Sequence, residues 1–144
     1  MHIAAILRHK GHDIISVPAS MPLSDVVCTL ARHRIGAVLV REGGDAMLGI
    51  VSERDVVRVL CANGAAALEM TAGQVMTRAV HTLGPHATVA EAMEMMTTAR
   101  VRHLPVLEAG ALVGMISIGD VVKARIGEQE AEVDSLKAYV AGAT

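Results

Sequence analysis

Gly49-Ile-Val-Ser-Glu-Arg-Asp-Val-Val-Arg58 and Gly114-Met-Ile-Ser-Ile-Gly-Asp-Val-Val-Lys123 are one ten-residue phrase written twice in a chain of 144 residues. Five of the ten positions are identical, and the pairs Ile50/Met115, Val51/Ile116 and Arg58/Lys123 are conservative. The spacing is 65 residues. Upstream it becomes 66: Arg34-Ile35 aligns with Arg100-Val101, and Val38-Leu39-Val40 with Leu104-Pro105-Val106. The turn Arg41-Glu-Gly-Gly-Asp-Ala46 is longer than its counterpart around Gly110, and absorbs the difference. One gap in a surface turn is the signature of a duplicated unit.

Working outward, each copy reads as strand, helix, strand, strand, helix. In the first, Ile14 to Val17 is a short β-type run closed by Pro18, and Val26, Val27, Leu30 and Ala31 recur at helical spacing. Ala37 to Val40 is a short apolar strand, Glu42-Gly-Gly-Asp45 a turn, and Met47 to Val51 its hairpin partner. A helix then starts at Ser52 with Val56, Val57, Leu60 and Cys61 on one face. The second copy repeats the order. Val80 to Leu83 is the strand, and Thr88-Val-Ala-Glu91 a capping box with Val89, Ala92, Met93 and Met96 inward. His103 to Leu107 and Ala111 to Ile116 form the hairpin, and a long helix follows Ser117. A short helical piece precedes each copy, Ile3 to His9 and Ala72 to Met76, the latter capped by Thr71 and Gln74. The fold class is α/β. One such unit is too small to cover its own sheet. The expectation is therefore two repeats packed sheet to sheet about a pseudo-twofold axis, with two related sites. The blocks are 1–66 for the first repeat with its N-terminal short helix, 67–127 for the second, and 128–144 for a helical extension.

Chemistry concentrates in the Gly-h-h-Ser-x-x-Asp phrase, where h is apolar. Ser stands where the strand stops and Asp in the first helical turn. The N-terminus of a helix carries unpaired N–H groups and partial positive charge, which suit a phosphate. A carboxylate has two acceptor oxygens for the hydroxyls of a ribose diol, and a Ser hydroxyl can donate nearby. Ser-x-x-Asp is equally a helix capping box, and the two roles are compatible.

These motifs resemble the CBS (cystathionine-beta-synthase) domain, and the tandem resembles a complete CBS pair, or Bateman module, over roughly residues 3 to 126. The resemblance rests on Ser52 and Asp55, on Ser117 and Asp120, and on the segments Arg34 to Val40 and Arg100 to Val106. It implies that backbone of the middle strand lines an adenine slot: Ala37, Val38 and Leu39 in one repeat, His103, Leu104 and Pro105 in the other. It further implies that each Asp binds ribose and that basic residues reach phosphates. Arg54 and Arg102 are the candidates, standing on different segments in the two repeats, so unequal affinities are expected. The ligands implied are AMP, ADP, ATP, NAD(H) or S-adenosylmethionine, held between the repeats, and the assembly a homodimer. The resulting reading is a non-catalytic regulatory module whose adenine nucleotide is a regulatory ligand, with no catalytic cofactor, signalling to a separate target protein. The alternative is a constitutive dimeric scaffold with vestigial sites.

Composition agrees. Hydrophobic residues make up 52% and charged residues 19%, enough for a core. Thirteen Lys and Arg against 15 acids leave no basic excess for nucleic acid, and with no Phe or Trp and one Tyr there is no base-stacking platform. No apolar run reaches the roughly 18 residues a membrane span needs, and the N-terminus does not read as a secretory signal, so a cytoplasmic protein is expected. Cys28 and Cys61 read as packed, reduced thiols. The seven histidines lack metal-ligand spacing and read as turn residues. Neither Ser52 nor Ser117 lies in a Gly-x-Ser-x-Gly elbow, so no enzyme is expected. In the tail, Val122, Ile126, Val133, Leu136 and Val140 form an apolar stripe. It needs a partner, the other protomer's helix or a fold-back on its own chain, with Gly127 a place to bend.

Overall fold

Strand, helix and turn follow one another twice, as the repeats require. The computed structural model describes residues 1–44 and 46–142; Asp45 of the expected turn and the last two residues of the expected extension lie outside the described residues. In chain order the elements are α1 (Ile3–Lys10), β1 (Ser16–Val17), α2 (Leu23–His33), β2 (Ala37–Glu42), β3 (Ala46–Ser52), α3 (Glu53–Asn63), a 3-10 turn (Gly64–Glu69), α4 (Ala72–Val75), α5 (Val89–Ala99), β4 (His103–Glu108), β5 (Ala111–Ser117) and α6 (Ile118–Gly142). The mixed α/β class is as expected.

The chain divides into two compact units. One comprises Asp13–His81 with Ala109–Leu112; the other comprises Met1–His12, Thr82–Glu108 and Val113–Thr144. Each has its own core. Val17, Leu23, Val26, Val38, Val40, Val51 and Val59 centre the first. Val89, Ala92, Met96, Leu104, Val106, Ile116 and Val121 centre the second. The short leading helices are exchanged. α1 precedes the first repeat in sequence, but its Ile3, Ile6 and Leu7 belong to the second core. α4 precedes the second repeat, but its Ala72 and Val75 belong to the first.

In the first unit β2 runs between parallel β1 and antiparallel β3, with Ser16 opposite Leu39 and Val38 opposite Val51. The second unit differs. The strand expected over Val80 to Leu83 is reduced to a single parallel bridge from Leu83 to Val106, leaving a two-stranded sheet of β4 and β5. Pro105 explains the loss. Its counterpart Leu39 donates its N–H to the carbonyl of Ile15 at 3.2 Å. Proline has no N–H, so that rung of the ladder cannot form.

Local chemistry sets the helix ends. Thr88 with Glu91 and Thr71 with Gln74 form the reciprocal capping boxes read from sequence. α2 and α5 close on the equivalent residues Arg34 (φ +53°) and Arg100 (φ +56°), both left-handed, which turns the chain into the next strand.

Helix faces need correction. Val56 and Val59 are the apolar residues that α3 buries, while Val57 is 66% exposed and Cys61 is also in solvent. Cys28 is exposed as well, so neither thiol is packed; both are free. Each Cys stands two residues beyond a buried Val, Val26 or Val59, which places it across the helix from the core stripe. Met93, expected inward, is 36% exposed. α6 runs through Gly127 without interruption, and from Gln129 to Gly142 every residue is exposed. The helix does not fold back on its own chain. Among the described residues no helix is long and apolar enough to cross a membrane.

Candidate functional site

Each repeat turns from strand to helix at its Ser-x-x-Asp. In the first, Ser52 is the N-cap of α3. Its backbone N–H donates to Asp55 Oδ2 at 2.9 Å, and Asp55 N–H donates to Ser52 Oγ at 3.3 Å. In the second, Ser117 N–H donates to Asp120 Oδ2 at 2.8 Å, and Asp120 N–H donates to Ser117 Oγ at 3.2 Å. The capping role is realised in both. The start of the middle strand is tied to each helix: Glu53 N–H donates to Gly36 O at 2.9 Å and Ile118 N–H to Arg102 O at 2.8 Å.

Beyond the cap the corners differ. Asp55 Oδ2 also accepts from the Ser52 hydroxyl at 3.1 Å. Its Oδ1 accepts from Arg58 at 3.1 Å and from the Thr77 hydroxyl at 3.0 Å. A carboxylate has about four acceptor positions, and Asp55 uses them all. Its side chain is only 10% exposed. In this geometry each of those positions on Asp55 is taken by a donor of the chain itself. Asp55 is a strut that ties α3 to the segment after α4.

Asp120 is more open, its side chain 23% exposed. Oδ2 accepts from Ser117 N–H and from Lys10 Nζ at 2.7 Å. Among the described residues Oδ1 has no donor. Burial alone would raise this carboxyl. The Lys10 hydrogen bond, the Ser117 N–H and the Lys10 charge together outweigh burial and hold its pKa below the ordinary carboxylate value.

The remaining expected site residues fall into two groups. Ala37, Val38 and Leu39 are fully buried in β2, and β2 is paired along both edges. In β4, Leu104 and Pro105 are buried and His103 is half-buried. Arg54 and Arg102 are exposed, one in each unit. Reading from sequence missed Thr77, Arg58 and Lys10 as partners of the aspartates. Lys10 lies 110 residues from Asp120, outside the repeat phrase, where no spacing rule could reach it.

The sequence model of the CBS domain matches residues 5–62 and 72–127. The chain belongs to the CBS domain family. Among similar CBS proteins, the mitochondrial CBS domain-containing protein CBSX3 of Arabidopsis thaliana is 37% identical over 122 residues, covering 82% of this chain. This chain spans 59% of that relative's length. The crystal structure of the CBS-domain containing protein ATU1752 from Agrobacterium tumefaciens superposes with a TM-score of 0.85 at 41% identity, covering 87% of this chain and 99% of that one. The CBS domain protein PAE2072 from Pyrobaculum aerophilum, solved in complex with AMP, superposes with a TM-score of 0.71 at 26% identity, covering 83% and 89%.

Proposed function

We propose that this CBS pair is a non-catalytic regulatory module that binds an adenosine-containing nucleotide, of the AMP, ADP, ATP or NAD(H) type, at the corner Ser117–Asp120 of the second repeat. The observation that carries this is Asp120 Oδ1. It is a carboxylate oxygen at a helix N-terminus, half-buried, with both acceptor positions open for a ribose diol. His103, Leu104 and Pro105 on the neighbouring strand are the proposed adenine-side residues, and Arg102 a proposed phosphate contact. AMP in the P. aerophilum relative supports the ligand class. In both repeats the Ser Oγ accepts the Asp N–H and so serves the helix cap.

The module works by linkage: ligand favours one arrangement of the chain or its oligomer, and a separate target protein reads that arrangement. A homodimer is proposed, because α3 leaves Val57 and Leu60, and α6 leaves Val133, Leu136 and Val140, in solvent. The free, exposed Cys28 and Cys61 fit a reducing compartment, and the cytoplasm is proposed.

Isothermal titration with AMP and 2′-deoxy-AMP tests the reading. The ribonucleotide is expected to bind about tenfold or more tighter, the cost of one lost hydrogen bond to a charged group. Asp120→Asn is expected to abolish that preference. Equal affinities for the two ligands in the unaltered protein overturn the ribose assignment, and no binding of either overturns the function.

A further inference from the structure

Lys10 takes the place in the second corner that Thr77 holds in the first. Thr77 makes two bonds there: its backbone N–H donates to Ile50 O at 2.8 Å, and its hydroxyl to Asp55 Oδ1 at 3.0 Å. The second corner has the equivalent acceptors, Met115 O and Asp120. A single ammonium serves both, with Lys10 Nζ at 2.9 Å from Met115 O and 2.7 Å from Asp120 Oδ2. A rigid, neutral pair of donors is thus replaced by a full charge on a flexible four-carbon stem.

Two properties follow. An ammonium has three N–H donors, and two are used here, so one remains for an incoming group. The Lys10 side chain is 37% exposed, so this charge is open to solvent. α1 anchors the stem: Ile3 is fully buried and Leu7 nearly so, in the same core as β5. The charge is held at the carboxylate from a fixed base, yet its head can change partners without moving that base.

We infer that Lys10 makes the second corner selective for a phosphate-bearing ligand: Asp120 accepts the sugar hydroxyls, and the Lys10 ammonium donates to the phosphate of the same molecule. A neutral nucleoside would use only the carboxylate. The inference rests on the nucleotide reading above and assigns the discrimination between nucleotide and nucleoside to a residue of α1, outside the repeat motif. Arg102 is exposed and belongs to the same unit, so its contribution has to be separated from that of Lys10.

The test is calorimetric titration of AMP and adenosine into the full chain and its Lys10→Met and Lys10→Arg variants, with thermal melts of each. The unaltered protein should prefer AMP. Lys10→Met should lose about tenfold or more for AMP, the loss of one charge-assisted hydrogen bond, while adenosine affinity stays within about threefold; Lys10→Arg should keep the preference. A purely structural Lys10 would lower both affinities together along with the melting temperature, and that result overturns the inference. So does an unchanged AMP-to-adenosine ratio in Lys10→Met, which would hand the phosphate to Arg102. If Lys10→Met does not fold, the unaltered protein still decides: equal affinity for AMP and adenosine overturns the inference while leaving the nucleoside site standing. Failure to bind either ligand overturns the nucleotide reading itself.

Discussion

At the scale of single residues, two aspartates in equivalent positions differ by what surrounds them. The Ser-x-x-Asp phrase made both legible as helix caps, and both are. What spacing does not encode is the set of donors from elsewhere: Thr77 lies 22 residues from Asp55 and Lys10 lies 110 from Asp120. Those donors decide that one carboxylate is saturated and the other half open. The difference has a pH consequence. Asp120 has its pKa lowered from the ordinary value of 3.8 in the folded state. The unfolded chain therefore takes up the proton first, and stability rises with pH across this window. The contribution is complete above the unfolded value and is lost as pH falls through the lower, folded one. In Lys10→Met the hydrogen bond and charge of Lys10 are gone and only the Ser117 hydrogen bonds still oppose burial, so acid removes less favourable interaction there. Urea unfolding of both proteins from about pH 6 to pH 3 should show the stability gap narrowing below about pH 4. A gap constant across that range would mean that Lys10 acts through packing alone.

At the scale of elements, the alternation of strand and helix was plain in the sequence, while the face each helix buries was not. Val56, Val57, Leu60 and Cys61 share one side of α3, yet the core takes Val56 and Val59 together with the polar Asp55. With few aromatic residues and apolar ones all around the helix, periodicity could not choose the face; the Asp55 strut chooses it. The exchange of α1 and α4 was likewise hidden, because short helices carry no label for their destination. Their docking is visible at two equivalent glycines. A Cβ at Gly49 would lie 2.7 Å from the backbone oxygen of Thr77 and 2.7 Å from Met76 Sδ. A Cβ at Gly114 would meet Leu7 Cδ2 at 2.7 Å, the far end of a side chain that can rotate. Overpacking a tight site costs about 1–3 kcal/mol. Gly49→Ala should fall within that range, since Thr77 O is held by its bridge to Ile50, whereas Gly114→Ala should cost less. Chemical denaturation of the two variants checks the order; equal losses would show that the exchanged helices dock with equal rigidity.

At the scale of the whole molecule, α6 ends in a stretch, Gln129 to Gly142, in which every residue is exposed. Its first turn is anchored by Val121, which is buried. Beyond that the apolar residues face solvent: Ile126 is 51% exposed, Val133 50%, Leu136 63% and Val140 57%. At 100° per residue, Ile118, Val122, Ile126, Val133, Leu136 and Val140 fall within an arc of about 80°. The stripe was legible from spacing alone; that it stays uncovered within the chain was not, because a fold-back satisfies the same pattern. Burying one such side chain is worth roughly 1.5–3 kcal/mol, and a twofold partner can cover it with the same surface from a second copy. Truncation after Gly127 removes Val133, Leu136 and Val140 and leaves Lys10, Ser117 and Asp120 in place. The truncated protein should dimerise more weakly than the full chain while binding AMP with unchanged affinity. Sedimentation velocity at matched concentrations, paired with titration of AMP, separates the outcomes. If the truncated protein remains as strongly dimeric as the full chain, the interface lies on the apolar faces left by α2 and α3, where Val27, Ala31 and Val57 line a groove of about 440 Å³. In that case the tail stripe is free for the target protein.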